Sequence, residues 1–429
     1  MSSKYAASST AITPLGEQQS YALGQALRSL YLDPASPSAI ATLAADNALF
    51  NQSQYQARAD AGGEGGVIYD SAVAMWQGLF PASGSSSITL ANSTTVTSPL
   101  GGYQYVPIES VEPANDISME GWTSCDAFTA ANEATYASAA WTSRAAAAAP
   151  ALASLQGLVG ARNASLVNAY NMFDYINVQY IHNASFLATC SPSQLGTARD
   201  FANFHEYELF SGGAIDQIAI TTMVPWILGG SGTQAGLSTF ANASSPVKFI
   251  HLGASYKPFI SLFNLTGVAN TYPDVQGIVD YASAAVMELR RDSAGALAVR
   301  MQFKNGTADW RTLNMFGNAG DSPLAQFQAV VGPAGINSTT AWCSACSNSV
   351  SRGCQLLAAN ANSRSLSAAA AGGVGAGVTL GVVLILVASL ASLGLVSFRR
   401  RQRRPVMARS VRLADKTDDW ASIDQASLR

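Results

Sequence analysis

Three histidines, one His–Glu run, one glycine-rich turn and five cysteines are the parts of this chain whose chemistry could carry a function. An imidazole titrates near neutrality and can act as nucleophile, acid–base catalyst or metal ligand. The histidines are His182, His205 and His251. His251 ends the apolar run Lys248–His251 and is followed by Leu252, a side chain that cannot transfer a proton. Two readings of His251 stand side by side: a lining residue of an anion pocket, or a core histidine at a strand end. In FHEYELF, Phe204 to Phe210, a helix would place His205 and Glu208 on one face, as two metal ligands would be, with Glu206 between them. No third ligand is near in sequence, so a solvated helix face is the expectation and no metal is assigned. The run Asp60–Gly66, DAGGEGG, has backbone amides that suit an anion or simply a loop.

The cysteines are Cys125, Cys190, Cys343, Cys346 and Cys354, the last three in WCSAC and SRGC. Zinc would need a fourth ligand that the neighbourhood lacks. In an oxidising compartment disulfides fit better, and an odd count leaves one thiol unpaired. Spacing does not give the connectivity.

The compartment follows from one segment. Ser365 to Phe398 contains no charged side chain, and RRRQRR follows from Arg399 to Arg404. Residues 374–398 would span roughly 37 Å as a helix, enough to cross a hydrocarbon layer of about 30 Å with some tilt. The arginines place the following tail, 399–429, in the cytosol, so everything before the span faces the outside or a lumen. Eight N-x-S/T sequons, at Asn51, Asn92, Asn163, Asn183, Asn242, Asn264, Asn305 and Asn337, all precede the span. They fit a glycosylated ectodomain of the plasma membrane or secretory pathway. Charged residues make up only 12 % and the net charge is −3, which excludes the basic field that nucleic-acid binding needs. The N-terminal run MSSKYAASSTAITPLGEQQ has no apolar signal-peptide core, so either the span is its own signal or an upstream segment is expected.

The elements that must position these residues are mixed. Thr13 to Tyr31 reads as a helix capped by Thr13, and Val67 to Leu79 as a second. Ser83 to Thr97 reads as a loop, leading to a short strand over Tyr103–Pro107. Ala127 to Leu158 is an alanine-rich helical pair divided at Pro150, and Leu166–Tyr180 and Thr197–Leu209 are helical too. Lys248–His251 is a short strand, and Ala284–Arg290 with Leu297–Lys304 forms a hairpin around Asp292–Gly295. Helices clustered between strands predict an α/β fold with a central sheet and a helical insert.

Several runs taken in order resemble one family. TPLGEQQSYALGQALRSLYL (Thr13–Leu32), SAVAMWQGLFP (Ser71–Pro81), KFIHLGASYKPFISLFNLTGV (Lys248–Val268) and VMELRRDSAGALAVRMQFKNGT (Val286–Thr307) look like segments of the histidine acid phosphatases, the branch-two histidine phosphatase superfamily. The resemblance implies a phosphoglycerate-mutase-like fold and hydrolysis of phosphate monoesters with no cofactor. A histidine would become phosphorylated, arginines would hold the phosphate, and an acid beside a second histidine would protonate the leaving alcohol.

This chain departs from that pattern. The family's R-H-G-x-R-x-P motif is absent, and no histidine here follows an arginine. The position of a further phosphate-binding arginine falls on Val67 or Gly66; the nearest arginine is Arg58. The family's His-Asp pair appears as His251–Leu252. The expectation is a divergent, membrane-anchored, N-terminally truncated member. Its parts would be an ectodomain over 1–357, a stalk over 358–373, the span over 374–398 and the tail over 399–429. Arg58 and His251 are its candidate ligand-binding residues, and no residue is assigned as catalytic beyond His251 as a remnant of the pair. It would be a phosphatase by family but inactive as it stands, or a surface pseudoenzyme that binds a phosphorylated or other anionic ligand or a protein partner.

Overall fold

The computed structural model describes residues 11–363, apart from 46, 63–65 and 230–234. The expected span at 374–398 and the tail lie outside the described residues. Among the described residues no helix is long and apolar enough to cross a membrane.

The order of the main elements is α1 (Pro14–Tyr31), β1 (Tyr55–Asp60), α2 (Val67–Leu79), β2 (Ser87–Thr89), β3 (Thr95–Thr97), β4 (Glu109–Val111), α3 (Asp126–Ala137), α4 (Ala139–Leu155), α5 (Ala169–His182) and α6 (Pro192–Phe210). There follow β5 (Phe249–Gly253), α7 (Lys257–Leu265), β6 (Ala284–Arg291), β7 (Leu297–Lys304), β8 (Arg311–Leu313), β9 (Ser322–Pro323), α8 (Leu324–Val331), α9 (Thr339–Ala345) and α10 (Cys354–Ser363).

Local chemistry starts these helices where expected. Thr13 Oγ1 accepts the Gly16 amide at 3.2 Å and Pro14 opens α1. α6 begins earlier than its apolar pattern does, at Pro192, because Ser191 and Gln194 form a capping box. α1 and α2 then pack backbone to backbone. A Cβ on Gly24 would lie 1.9 Å from the Met75 carbonyl oxygen, and one on Gly78 would lie 2.0 Å from that of Tyr21. Only glycine permits that approach.

Three strand and helix expectations need correction. Ser83–Thr97 is not a loop throughout: β2 and β3 pair as an exposed antiparallel hairpin whose tight turn carries Ser93 at positive φ. Tyr103–Pro107 is not a strand. The strand forms at β4 instead, beyond Pro107, which has no N–H to give a ladder. The alanine-rich pair divides at Ser138, not at Pro150. Ser138 is extended and its hydroxyl caps α4 through the Trp141 amide, whereas Pro150 is carried inside α4.

A three-stranded parallel sheet runs β4–β1–β5, with Ala57 beside His251 and Arg58 beside Leu252. A second, antiparallel sheet runs β6–β7–β8, with β9 also on β7. One face of the parallel sheet packs against α1 and α2 through Leu27, Tyr55, Ala57, Trp76 and Phe80. Each large apolar side chain buried there contributes about 1.5–3 kcal/mol. The other face meets a core built from α7, β7 and α8, including Phe263, Met301 and Phe327. The helices α4, α5 and α6 hold a core of their own around Trp141, Met172 and Phe201.

Candidate functional site

A cavity of about 530 Å³ lies where α1, β5 and β6 meet. His251 lines it, partly exposed. Side chains alternate along a strand, so His251 follows Ala57 and Phe249 towards α2, while Leu252 points to the opposite core. Trp76 Nε1–H donates to His251 Nδ1 at 3.3 Å. That bond requires an unprotonated Nδ1, so the neutral ring carries its proton on Nε2. Burial among apolar groups pushes the His251 pKa down to about 4.

At another wall of the cavity, Tyr31 Oη–H donates to Glu288 Oε1 at 2.7 Å, and Arg290 pairs with Glu288 Oε2 at 2.9 Å. Burial, then the Glu288 charge, holds the Tyr31 phenol well above its usual range. Strand alternation in VMELRR hints that Glu288 faces one side; its tyrosine partner, far away in sequence, gives no such signal.

Arg58 is engaged elsewhere. Its register with Leu252 puts it on the face opposite His251, so the structure does not bring these two candidate ligand-binding residues together. The guanidinium is 3 % exposed and stacks 3.6 Å from the Trp226 ring centroid. It donates to both Glu109 oxygens at 2.6 and 3.0 Å, to Asp116 Oδ2 at 2.6 Å and to Ser118 Oγ at 3.0 Å. Four of the five or so N–H donors of an arginine are therefore used within the fold. Burial raises the Asp116 pKa, but the Ser118 hydrogen bonds and Arg58 more than offset it and the net shift is downward.

The FHEYELF run is not a solvated face. His205 and Glu206 are buried and only Glu208 is exposed. His205 Nδ1 lies 2.8 Å from Glu206 Oε1 and its Nε2 lies 3.0 Å from Tyr136 Oη; Tyr256 Oη–H donates to Glu206 Oε2 at 2.8 Å. Desolvation alone would raise the Glu206 pKa, yet His205, Lys257 and Tyr256 together hold it below its usual range. Sequence reading missed this network because its tyrosines come from distant helices and loops. His182 is exposed in the last turn of α5. Among the described residues no group of three His, Cys, Asp or Glu side chains could hold a metal.

Two disulfides form, Cys125–Cys346 and Cys343–Cys354, and Cys190 is buried and unpaired. The first closes 221 residues of sequence separation and ties the start of α3 to the end of α9. Six sequon asparagines are exposed, and Asn264 and Asn305 are half-buried. Asn264 Nδ2–H donates to the Ser211 carbonyl, and Asn305 Oδ1 accepts from the Asp280 amide at 2.8 Å.

No family model matches the chain, and no curated protein matches its sequence. Among solved structures it is similar to the phytase of Klebsiella sp. ASR1, with a TM-score of 0.51 and 13 % identity over 77 % of this chain and 88 % of that one. It is also similar to the Hafnia alvei phytase in complex with tartrate (TM-score 0.48, 14 % identity, 78 % of this chain and 88 % of that one). For the Citrobacter braakii phytase the values are 0.48, 13 %, 76 % and 88 %. At such identity the likeness to the Klebsiella phytase shows a shared mixed α/β fold and nothing of activity.

Proposed function

We propose that this chain is a single-pass membrane glycoprotein, N-terminus outside, whose histidine-acid-phosphatase-like domain binds a partner and does not hydrolyse phosphate esters. The surroundings of His251 carry this reading. Phosphoryl transfer to a histidine needs guanidinium groups aimed at the phosphate oxygens and a proton donor for the leaving alcohol. Among the described residues, the side-chain hydrogen-bond partner of His251 is Trp76. Leu252 offers no proton, and Arg58 lies on the other face of the sheet within two carboxylates. The sequence resemblance to histidine acid phosphatases and the structural likeness to a phytase support the fold half of the reading.

The test is hydrolysis of p-nitrophenyl phosphate at acidic pH by the full-length chain in detergent. Wild type and His251→Ala are expected to be equally inactive. A clear wild-type rate that His251→Ala abolishes overturns the reading. Orientation is checked separately: glycosidase should lower the mass, and protease outside intact cells should spare a tag after Arg429.

A further inference from the structure

Between Asp70 and Glu109 the sequence carries no charged side chain. Within that stretch the β2–β3 hairpin is exposed at all six of its strand positions. Its register sorts the side chains by face. Ser87, Thr89, Thr95 and Thr97 share one, and Ile88, Leu90 and Val96 the other. Ile88 is 65 % exposed and Val96 47 %. Natural sheets guard a free edge with charges, prolines or a covering element. Neither strand of this hairpin has a charge or a proline.

The main-chain hydrogen bonds show which edge is open. The Leu90 amide donates to the Thr94 carbonyl at 2.9 Å, and the Ser98 amide to the Ser86 carbonyl at 2.8 Å. Bonded and non-bonded pairs alternate along an antiparallel ladder. Ile88 and Val96 are therefore a bonded pair, while Thr95 and Thr97 turn their N–H and C=O groups outward. Among the described residues no other main-chain group takes up those four. The β2 edge is partly closed, because the Ser87 amide donates to the Ser85 carbonyl at 2.8 Å.

The open edge also reads the same in both directions. Thr95-Val96-Thr97 is a palindrome, and the flanking Thr94 and Ser98 both carry hydroxyls. An antiparallel copy related by a two-fold axis at Val96 meets like with like: Val96 on Val96, Thr95 on Thr97 and Thr94 on Ser98. The two Thr95–Thr97 pairs then exchange two main-chain hydrogen bonds each. Cross-strand threonine pairs are favourable, and no like charges meet. Any other segment would have to match this edge by coincidence, whereas a second copy matches it by symmetry.

We infer that the β3 edge is a self-association surface, which pairs antiparallel with the β3 edge of a second copy of this chain and joins two hairpins into one four-stranded sheet. A lone two-stranded hairpin is marginal in water, and further strands with a shared apolar face stabilise it. The joined sheet carries Ile88 and Val96 of both copies in one apolar strip. Asn92 lies in the turn between the strands, outside the paired positions. Three strand residues per copy make a seam well below the roughly 800 Å² per partner of a standard interface, so the association is weak in dilute solution. Copies anchored in one membrane are held at high effective concentration, and for that alone the inference rests on the single-pass reading above.

Its test reads cross-linking, not hydrolysis or orientation. The full-length chain carrying Val96→Cys, Thr95→Cys or Ile88→Cys is purified in detergent, concentrated and oxidised with copper phenanthroline. Cys190 is buried and the other four native cysteines are paired, so the introduced thiol is the accessible one. Two copies of residue 96 would face each other with Cα atoms about 4.5 Å apart, within disulfide range. Two copies of residue 95 would lie diagonally at about 7–8 Å, and two of residue 88 three strand spacings apart at about 14 Å, both beyond it. Val96→Cys should therefore reach twice the chain mass at least tenfold faster than either control. Association measured by sedimentation should weaken at least tenfold in Val96→Lys and recover when that variant is mixed with Val96→Glu, because residue 96 faces its own copy. Equal rates for the three cysteine variants overturn the inference, and so does a Val96→Cys chain that stays monomeric with a thiol open to maleimide. A monomer whose thiol is shielded assigns the edge to a segment of the chain itself and overturns the second copy. Hydrolysis of p-nitrophenyl phosphate, or a failed orientation test, would overturn the reading above and leave the cross-link standing.

Discussion

β1 and β5 are neighbours in one sheet, yet they treat their polar side chains in opposite ways. β1 has a strand on each edge and is nearly all buried, and its Arg58 is surrounded by Glu109, Asp116, Ser118 and Trp226. β5 has a strand on one edge, is half-buried throughout, and its His251 has one weak partner and a cavity beside it. A charge on a closed strand must be satisfied within the fold or it costs too much to bury. A neutral ring on an open strand can remain underused. The closed strand uses its arginine inside the fold, and the open one leaves its histidine at the wall of a cavity.

The largest effect should come from breaking the closed side. Arg58→Met would leave Glu109 and Asp116 facing each other without their cation. Because both carboxylates are partly exposed, we expect a loss of about 3 kcal/mol, at the low end for a broken buried pair. A chemical denaturation midpoint measures it. A loss under about 0.5 kcal/mol, the range of ordinary surface substitutions, would erase the distinction between the strands.

The two sides should also respond to acid in different windows. The folded pKa of His251 is depressed to about 4, so between about pH 6.5 and 4 the unfolded chain binds a proton that the folded chain refuses. Stability on that account falls as pH drops from 6.5 to 4 and changes no further below. Partial exposure limits the effect to about 1 kcal/mol at pH 5. Asp116 and Glu206 have folded pKa values below their unfolded ones. Their contribution is complete above the ordinary carboxylate range and is lost only as pH falls through the lower folded values. His251→Leu should therefore flatten the melting temperature between pH 6.5 and 4 and leave the steeper fall below pH 4 in place. If the variant and wild type show parallel profiles across the upper window, His251 is not held neutral by its surroundings.

The smallest effect extends the contrast to the sequons and is read in mass, not in stability. Asn92 is exposed on the β2–β3 hairpin, while the amide of Asn264 is used inside the fold. When the chain is expressed in cells that glycosylate, Asn92→Gln should remove one glycan's shift in mobility, and Asn264→Gln should remove none. A shift with Asn264→Gln would mean that the Ser211 contact opens before glycosylation.

What the sequence alone determined about this protein is its local grammar. Thr13–Pro14 starts α1, Val67–Leu79 is a helix, and Asp292–Gly295 turns the hairpin, because caps, turn residues and periodicity act over a few positions. The α/β class followed from those elements, and residue identity alone shows that Leu252, next to His251, cannot give a proton and that no histidine of this sequence follows an arginine. Only the tertiary structure decided the rest. Strand register put Arg58 and His251 on opposite faces, and a shift of one position would have put them together. Packing over long separations turned His205 and Glu206 from an apparent surface pair into a buried network, and chose Cys346 over Cys343 as the partner of Cys125. The open edges of β5 and β6 belong to no short run of residues. They arise where two sheets stop short of one another, and a strand's sequence does not record which of its edges has a neighbour.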